Sequence, residues 1–326
     1  MKTLHRSGLV VLALFALAIN TGAFAQAFPT RPIRLVVADA AGGAPDQLAR
    51  LLAQRISESI GQQVVVDNKA GAGGVLGAEA VAKSPPDGYT LLMTTTAIYA
   101  ILPNLRKDLP YDPVKDFVPI SRVATASNVL VINNAVPAAN VAELVRYAKE
   151  RPGALNYASA GIGTPAHLAG EMLNLLADIK VTHIPYKGAA PGLLDVIAGN
   201  AQYIITSPIA AGAHMGAGRV RAIATTGTER NPALPELPTI AEAVPGYEIT
   251  QSWGIVAPAG TPPEIVRRLS GEIGKALATA ETKDRVLKTG AVPAANDTPA
   301  AFAAFMASER QRLGDVIARS RIELKE

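Results

Sequence analysis

The sequence predicts an α/β protein folded as two lobes. Short β-branched runs alternate with longer segments of 3.6-residue period, the pattern of strands followed by helices. With the first 25 residues set aside, roughly 300 remain, more than one hydrophobic core usually supports. The apolar share is 49%, which suits an ordered globule. There is no cysteine, so stability must come from buried apolar area.

The leader comes first. Lys2 and Arg6 give a cationic start, Gly8 to Ala18 a short apolar run, and Ala23-Phe24-Ala25 a small-residue cleavage site before Gln26. These are the three parts of a secretory signal peptide, and the apolar run is short for a membrane span. Lys and Arg total 31 against 27 acidic residues; without Lys2 and Arg6 the balance is 29 to 27. The mature chain is therefore close to neutral, with no basic stripe for nucleic acid.

Along the chain, Ile33 to Val37 reads as a first strand and leads into the small-residue loop Ala38 to Gly43. The following helix carries Leu48, Leu52, Ile56 and Ile60 on one face, with Leu51 beside them, and ends at Gly61. Val64 to Val66 is a strand, Val75 to Lys83 a helix, and Tyr89 to Met93 a strand that runs into Thr94-Thr95-Thr96. A second unit begins near Val129 to Ile132. Asn140 with Glu143 marks a helix start there, and Leu155 to Ala158 a strand. Thr164 and Pro165 open a helix carrying Leu168, Met172, Leu175 and Leu176. Val181–Ile184, Tyr203–Thr206 and Val220–Ala224 read as strands, Thr261 to Glu264 as a capping box opening a helix, and Thr298-Pro299 as the start of the last helix. With no repeat and no linker, the second lobe reads as an insertion between two halves of the first.

Three strand ends break into small, polar or glycine-rich loops: Ala40 to Asp46, Thr94 to Thr96, and Ser159 to Thr164. Ligands of open α/β sheets bind beyond the carboxyl ends of strands. A loop there that feeds a helix offers unpaired N–H groups and the positive end of a dipole, which suits an anion. Glycine lets the ligand approach the backbone, and Ser159, Thr164 and the threonines add hydroxyls. A carboxylate is thus held without arginine. The bland reading of each piece is a tight turn, a helix-capping Asp46, a packed His167 or a strand ending in solvent; the coincidence of three loops favours a site. His5, His167, His183 and His214 show no metal-ligand spacing. Gly161-Ile162-Gly163-Thr164 lacks the rest of a dinucleotide fingerprint, Gly42-Gly43 has no following lysine, and no Gly-x-Ser-x-Gly elbow occurs. A hydrolase reading of Ser159 with His167 lacks an orienting acid.

The chain resembles the substrate-binding proteins of tripartite tricarboxylate transporters, the Bordetella uptake gene (Bug) family. The likeness rests on Phe28 to Val37, on Ala41 to Asp46 with Ala49-Arg50, on Gly61 to Gly74 and on Pro86 to Leu92. It continues through Asn156 to Ser159, Gly163 to Leu168, Pro185 to Gly188, Pro238-Thr239 and Glu242, covering the whole mature chain. The resemblance implies a type II-like, two-lobed periplasmic-binding-protein clamshell with crossover strands and a ligand in the interlobe cleft. It implies residues 1–25 as signal peptide, 26–127 with 250–326 as lobe 1, and 128–249 as lobe 2. Ligand contacts are expected at Ala41, Gly42, Gly43, Asp46, Thr94, Thr95, Ser159, Gly161, Gly163, Thr164, His167 and Ser207. The expected protein is periplasmic, monomeric and without cofactor or metal, capturing a small organic acid by hinge closure for a permease of one large and one small subunit. It is expected to be neither an enzyme nor a nucleic-acid binder. A solute sensor with a receptor partner and a periplasmic hydrolase are the alternatives.

One stretch departs from the family pattern. Where the family has proline, an aromatic and another proline before Gly-Gly, this chain has Ala38-Asp39-Ala40-Ala41. The loop loses rigidity, and Asp39 puts a carboxylate beside an anionic guest. It repels such a guest, selects an amino or hydroxyl group on it, or points into solvent.

Overall fold

The computed structural model describes residues 28–320 except 232–233, 289 and 295–296. The leader over 1–25 and its cleavage site lie outside the described residues. From Arg31 onward the chain packs as one compact unit. Among the described residues no helix is long and apolar enough to cross a membrane.

β1 (Ile33–Val37) is buried at every position but Arg34, as a strand covered on both faces requires. It feeds α1 (Ala44–Ile60), where Leu48, Leu52 and Ile56 are buried and Gly61 closes the helix by donating its N–H to Ser57 O at 3.1 Å. β2 (Val64–Asn68), α2 (Val75–Ala82) and β3 (Thr90–Thr95) follow, and β2 and β3 flank β1 in parallel. A π-helical turn, Ala97–Ile101, runs into α3 (Leu102–Leu105) and then to β4 (Phe117–Ser127).

The single residue Asn128 separates β4 from β5 (Val129–Asn133), which belongs to a different sheet. That half continues with α4 (Val141–Lys149), β6 (Asn156–Ser159), α5 (Pro165–Leu176), β7 (Thr182–Pro185), α6 (Ala189–Ala198), β8 (Tyr203–Thr206), α7 (Pro208–Gly216) and β9 (Val220–Thr225). The chain then returns through β10 (Thr250–Pro258), α8 (Pro263–Ala278), α9 (Ala280–Leu287), β11 (Val292–Pro293) and α10 (Pro299–Ser320). The two sheets run β11-β4-β10-β3-β1-β2 and β7-β6-β8-β5-β9. Each sheet with its helices makes one lobe.

Both crossings lie side by side. Asn128 N–H donates to Thr226 Oγ1 at 2.7 Å and Thr226 N–H donates to Asn128 O at 2.9 Å. Thr226 Oγ1 donates to Ile249 O, Ile249 N–H returns a bond to Thr226 O at 3.0 Å, and Gln251 Nε2 donates to Asn128 Oδ1. Asn128 and Thr226 are fully buried, so this small polar knot is the joint between the lobes.

The predicted caps hold at two helices. Asn140 Oδ1 accepts Glu143 N–H at 2.9 Å, and Thr164 Oγ1 accepts His167 N–H at 3.3 Å. The box predicted at Thr261 does not form. Thr261 Oγ1 donates to Pro258 O at 2.7 Å, and the helix is capped at Pro262 instead. Pro263 at the first helical position has no N–H to satisfy, which lowers the need for a side-chain cap. Strands β4 and β10 and helices α6 and α7 were not read from the sequence. Pro119, Ser121 and Arg122 interrupt one strand, and Gln251, Ser252 and Gly254 the other.

Candidate functional site

The carboxyl ends of β1, β3, β6 and β8 open toward one another across the joint, and a cavity of about 50 Å³ lies between them. At 10–15 Å³ per water centre, that is room for roughly four waters. Its wall carries residues of both lobes: Ala38, Asp39, Ala44, Pro45, Gly73, Thr95, Ala97, Gln251 and Trp253 from one, and Ala160, Thr164, Pro165, Ala166, Ala189, Thr206 and Ser207 from the other.

The helix starts explain its chemistry. The first turns of α1 (Ala44, Pro45), α5 (Pro165, Ala166) and α6 (Ala189) reach the wall, as does Ser207, the cap of α7. First-turn N–H groups have no intrahelical acceptor, and each helix start carries a partial positive charge worth up to about 2 kcal/mol to an anion in a partly buried setting. Thr95, Thr206 and Ser207 add hydroxyls, while the Thr164 hydroxyl donates to Gly161 O. Among the described residues no lysine or arginine lines the cavity. The arrangement holds an anion with dipoles and hydroxyls, not with a fixed cation.

The lobes touch at several points around it. Gln47 Nε2 donates to Ile209 O at 3.3 Å, linking α1 to α7. Gly73, at φ 67°, lies against Ile162 O, and any Cβ there would overlap that carbonyl. Gly188, at φ 127°, lies against Asp39 Oδ1 and Ala40 and leaves no space for a side chain. These contacts define a closed conformation.

Asp39 does not point away into solvent. It lines the cavity, its Oδ1 accepts Ala40 N–H at 2.7 Å, and the Ala189 amide also favours its charged form. Burial nevertheless pushes the Asp39 carboxyl up to about 7, with nearby Asp46 adding to the rise. Asp46 has the opposite fate. Burial raises it, but hydrogen bonds from Arg50, from Gly42 N–H at 2.9 Å and from Asn68 outweigh burial and hold it below the usual carboxylate range.

In the second lobe, Ser159 is fully buried and its Oγ lies 2.6 Å from His183 Nε2. Gly161 N–H donates to Ser159 Oγ at 3.1 Å, Thr164 Oγ1 donates to Gly161 O at 2.7 Å, and Gly163 N–H donates to His167 Nδ1 at 3.2 Å. His183 stacks between Tyr157, at 4.8 Å, and His167, at 4.3 Å. Burial pushes His183 down to about 3, with His167 adding to the fall, and burial also lowers His167. Both rings are neutral at pH 7, so the stack brings no positive charge to the cavity.

The profile of the tripartite tricarboxylate transporter family receptor matches residues 48–322. The chain belongs to that family. It is 40% identical over 318 residues to the UPF0065 protein in the tcbD-tcbE intergenic region of Pseudomonas sp. strain P51, covering 96% of this chain and 94% of that one. The solved structure of R. palustris Rpa4515 with adipate is 37% identical, with a TM-score of 0.87 over 91% of this chain and 99% of that one. MatC from Rhodopseudomonas palustris with bound malate is 31% identical, with a TM-score of 0.85 over 89% and 100%.

In this receptor the predicted site residues divide into two groups. Thr95, Thr164 and Ser207 reach the cavity wall. Ala41, Gly42, Gly43, Asp46, Thr94, Ser159, Gly161, Gly163 and His167 are not part of that wall. Several of their donors are already engaged: Gly42 on Asp46, Gly43 on Ala40 O at 3.2 Å, Gly161 on Ser159 and Gly163 on His167. The pairing of Ser159 with His167 considered from sequence is replaced by one with His183. Trp253, Gln251 and Thr206 were missed. Trp253 is the chain's one tryptophan, and a lone buried aromatic between glycine and serine was the available signal.

Proposed function

We propose that this receptor closes its two lobes, residues 26–127 with 250–326 and residues 128–249, on a small organic carboxylate and hands it to a membrane permease of one large and one small subunit. The observation that carries the reading is the set of helix starts meeting at one cavity whose wall holds no lysine or arginine. Backbone amides of the first turns and the hydroxyls of Thr95 and Thr206 hold the carboxylate, and Trp253 with the alanines packs its carbon chain. The acids bound to Rpa4515 and MatC support this ligand class. The guest enters when the joint at Asn128 and Thr226 opens, and closure excludes water around it. The protein works in the periplasm as a monomer, after removal of its leader near Ala25.

A thermal-shift screen against organic acids tests the reading. A ligand at 100 times its dissociation constant stabilises by about 2.7 kcal/mol. A panel of mono-, di- and tricarboxylates that leaves the melting temperature unchanged overturns it.

A further inference from the structure

Among the described residues Asp39 is the one acidic side chain on the cavity wall, and no lysine, arginine or histidine shares that wall. It belongs to the first lobe, yet its Oδ1 lies against Gly188 of the second. Two backbone amides, of Ala40 and Ala189, favour its charge. A carboxylate offers about four lone-pair sites, so these two amides leave part of its accepting capacity unused. Burying a charge without full pairing is costly, and the group that relieves this cost is a donor brought by the guest.

We propose that Asp39 is the specificity-determining residue of the cleft: it selects an acid that carries an ammonium, or more weakly a hydroxyl, close to its carboxylate, and it discriminates against unsubstituted dicarboxylates. This rests on the reading of the cleft as a carboxylate site. The guest's own carboxylate sits at the first turns of α1 and α5, since Asp39 already lies at the start of α6. What the guest turns toward Asp39 then decides affinity. An ammonium pairs with it and lets it ionise. A second carboxylate meets a like charge, or must share a proton with it. With nothing cationic on the wall, the Asp39 carboxyl is already pushed up to about 7 by burial. The other charged group that raises it is Asp46, which is itself paired with Arg50 at 2.9 Å.

Calorimetry on the whole mature protein tests this with two matched series: succinate, malate and aspartate, then butanoate, 3-hydroxybutanoate and 3-aminobutanoate. The native protein binds the amino acid of each series about tenfold or more tighter than its unsubstituted partner, a difference of about 1.4 kcal/mol. Titrations in buffers of different ionisation heat show proton release near pH 7 with the amino acids and proton uptake with succinate. In Asp39→Asn, and in Asp39→Ala as a second variant, the ranking collapses and the proton exchange disappears, while succinate binds at least as well as before. Equal affinities within each series for the native protein, or an unchanged ranking in both variants, overturn the proposal and leave the carboxylate reading standing. If neither the native protein nor the variants bind any of the six acids, the carboxylate reading falls and this proposal falls with it.

Discussion

The loop after β1 and the loop after β6 look alike in sequence and differ in what they do with their polar groups. Both are rich in small residues, both contain two glycines, and both lead into a helix with proline in its first turn. The Ser159 to Thr164 loop closes on itself: its hydroxyls and glycine amides bond within the loop or to the imidazoles behind it. The Ala38 to Gly43 loop sets a carboxyl on the cavity wall and presses it against the other lobe. A glycine-rich strand end is therefore not by itself a row of free donors. In the second lobe the glycines shape a rigid seat, and the donors offered to the cavity belong to the helix turn that follows.

The largest effect that can break this contrast is expected at Gly188. Gly188→Val puts a branched side chain at φ 127° against Asp39 and Ala40, so the lobes cannot close. Ligand affinity falls by roughly a hundredfold or more, on the order of 3 kcal/mol, and small-angle scattering shows no compaction with ligand. An affinity within threefold of the native protein would mean that the cross-cleft contact is dispensable.

Next comes the Ser159 seat. Ser159→Ala leaves His183 Nε2 and Gly161 N–H without their partner and costs about 1–3 kcal/mol in denaturant unfolding. Thr164→Ala removes a helix cap and costs about 1 kcal/mol.

The two loops also predict opposite acid–base behaviour. His183 and His167 are depressed below their unfolded values, so the folded state binds fewer protons and stability is lost as pH falls from about 6.5 toward 3. The slope is at most about 1.4 kcal/mol per pH unit for each ring. Asp39 is raised, so its contribution runs the other way: the closed form loses stability as pH rises from about 4 to about 7. Stability curves of His183→Gln and Asp39→Asn separate the two; the first flattens the acid limb and the second the limb approaching pH 7. The smallest effect is at Asp46, whose lowered carboxyl stabilises above its unfolded pKa near 4 and loses that contribution in stronger acid. Asp46→Asn costs roughly 1 kcal/mol at pH 7 and nothing once the native carboxyl is protonated.

Much of the fold was legible because its signals are local. Leu48, Leu52 and Ile56 mark α1 by period, Thr164-Pro165 marks the start of α5, and Ile33 to Val37 marks a buried strand. The strands that join the lobes carry no such signal. β4 and β10 are defined by pairing with each other, Thr250 opposite Ser127 and Pro258 opposite Phe117, a relation between residues more than a hundred apart. The cavity wall was legible in part as strand ends and hydroxyls, which gave Thr95, Thr164 and Ser207. Which amides stay free was not legible, because Gly161 and Gly163 lose theirs to Ser159 and to a histidine whose positions depend on tertiary packing. The partner of Ser159 was missed for the same reason: His183 arrives from β7 through the parallel pairing of Tyr157 with His183.

Gln251 occupies two neighbourhoods at once. Its residue forms part of the chamber wall, while its amide nitrogen is bonded to Asn128, the lone residue on which the chain steps from one sheet to the other. One side chain therefore belongs both to the chamber and to the crossing between the sheets, so the wall of the chamber and the lobe crossing share an atom contact.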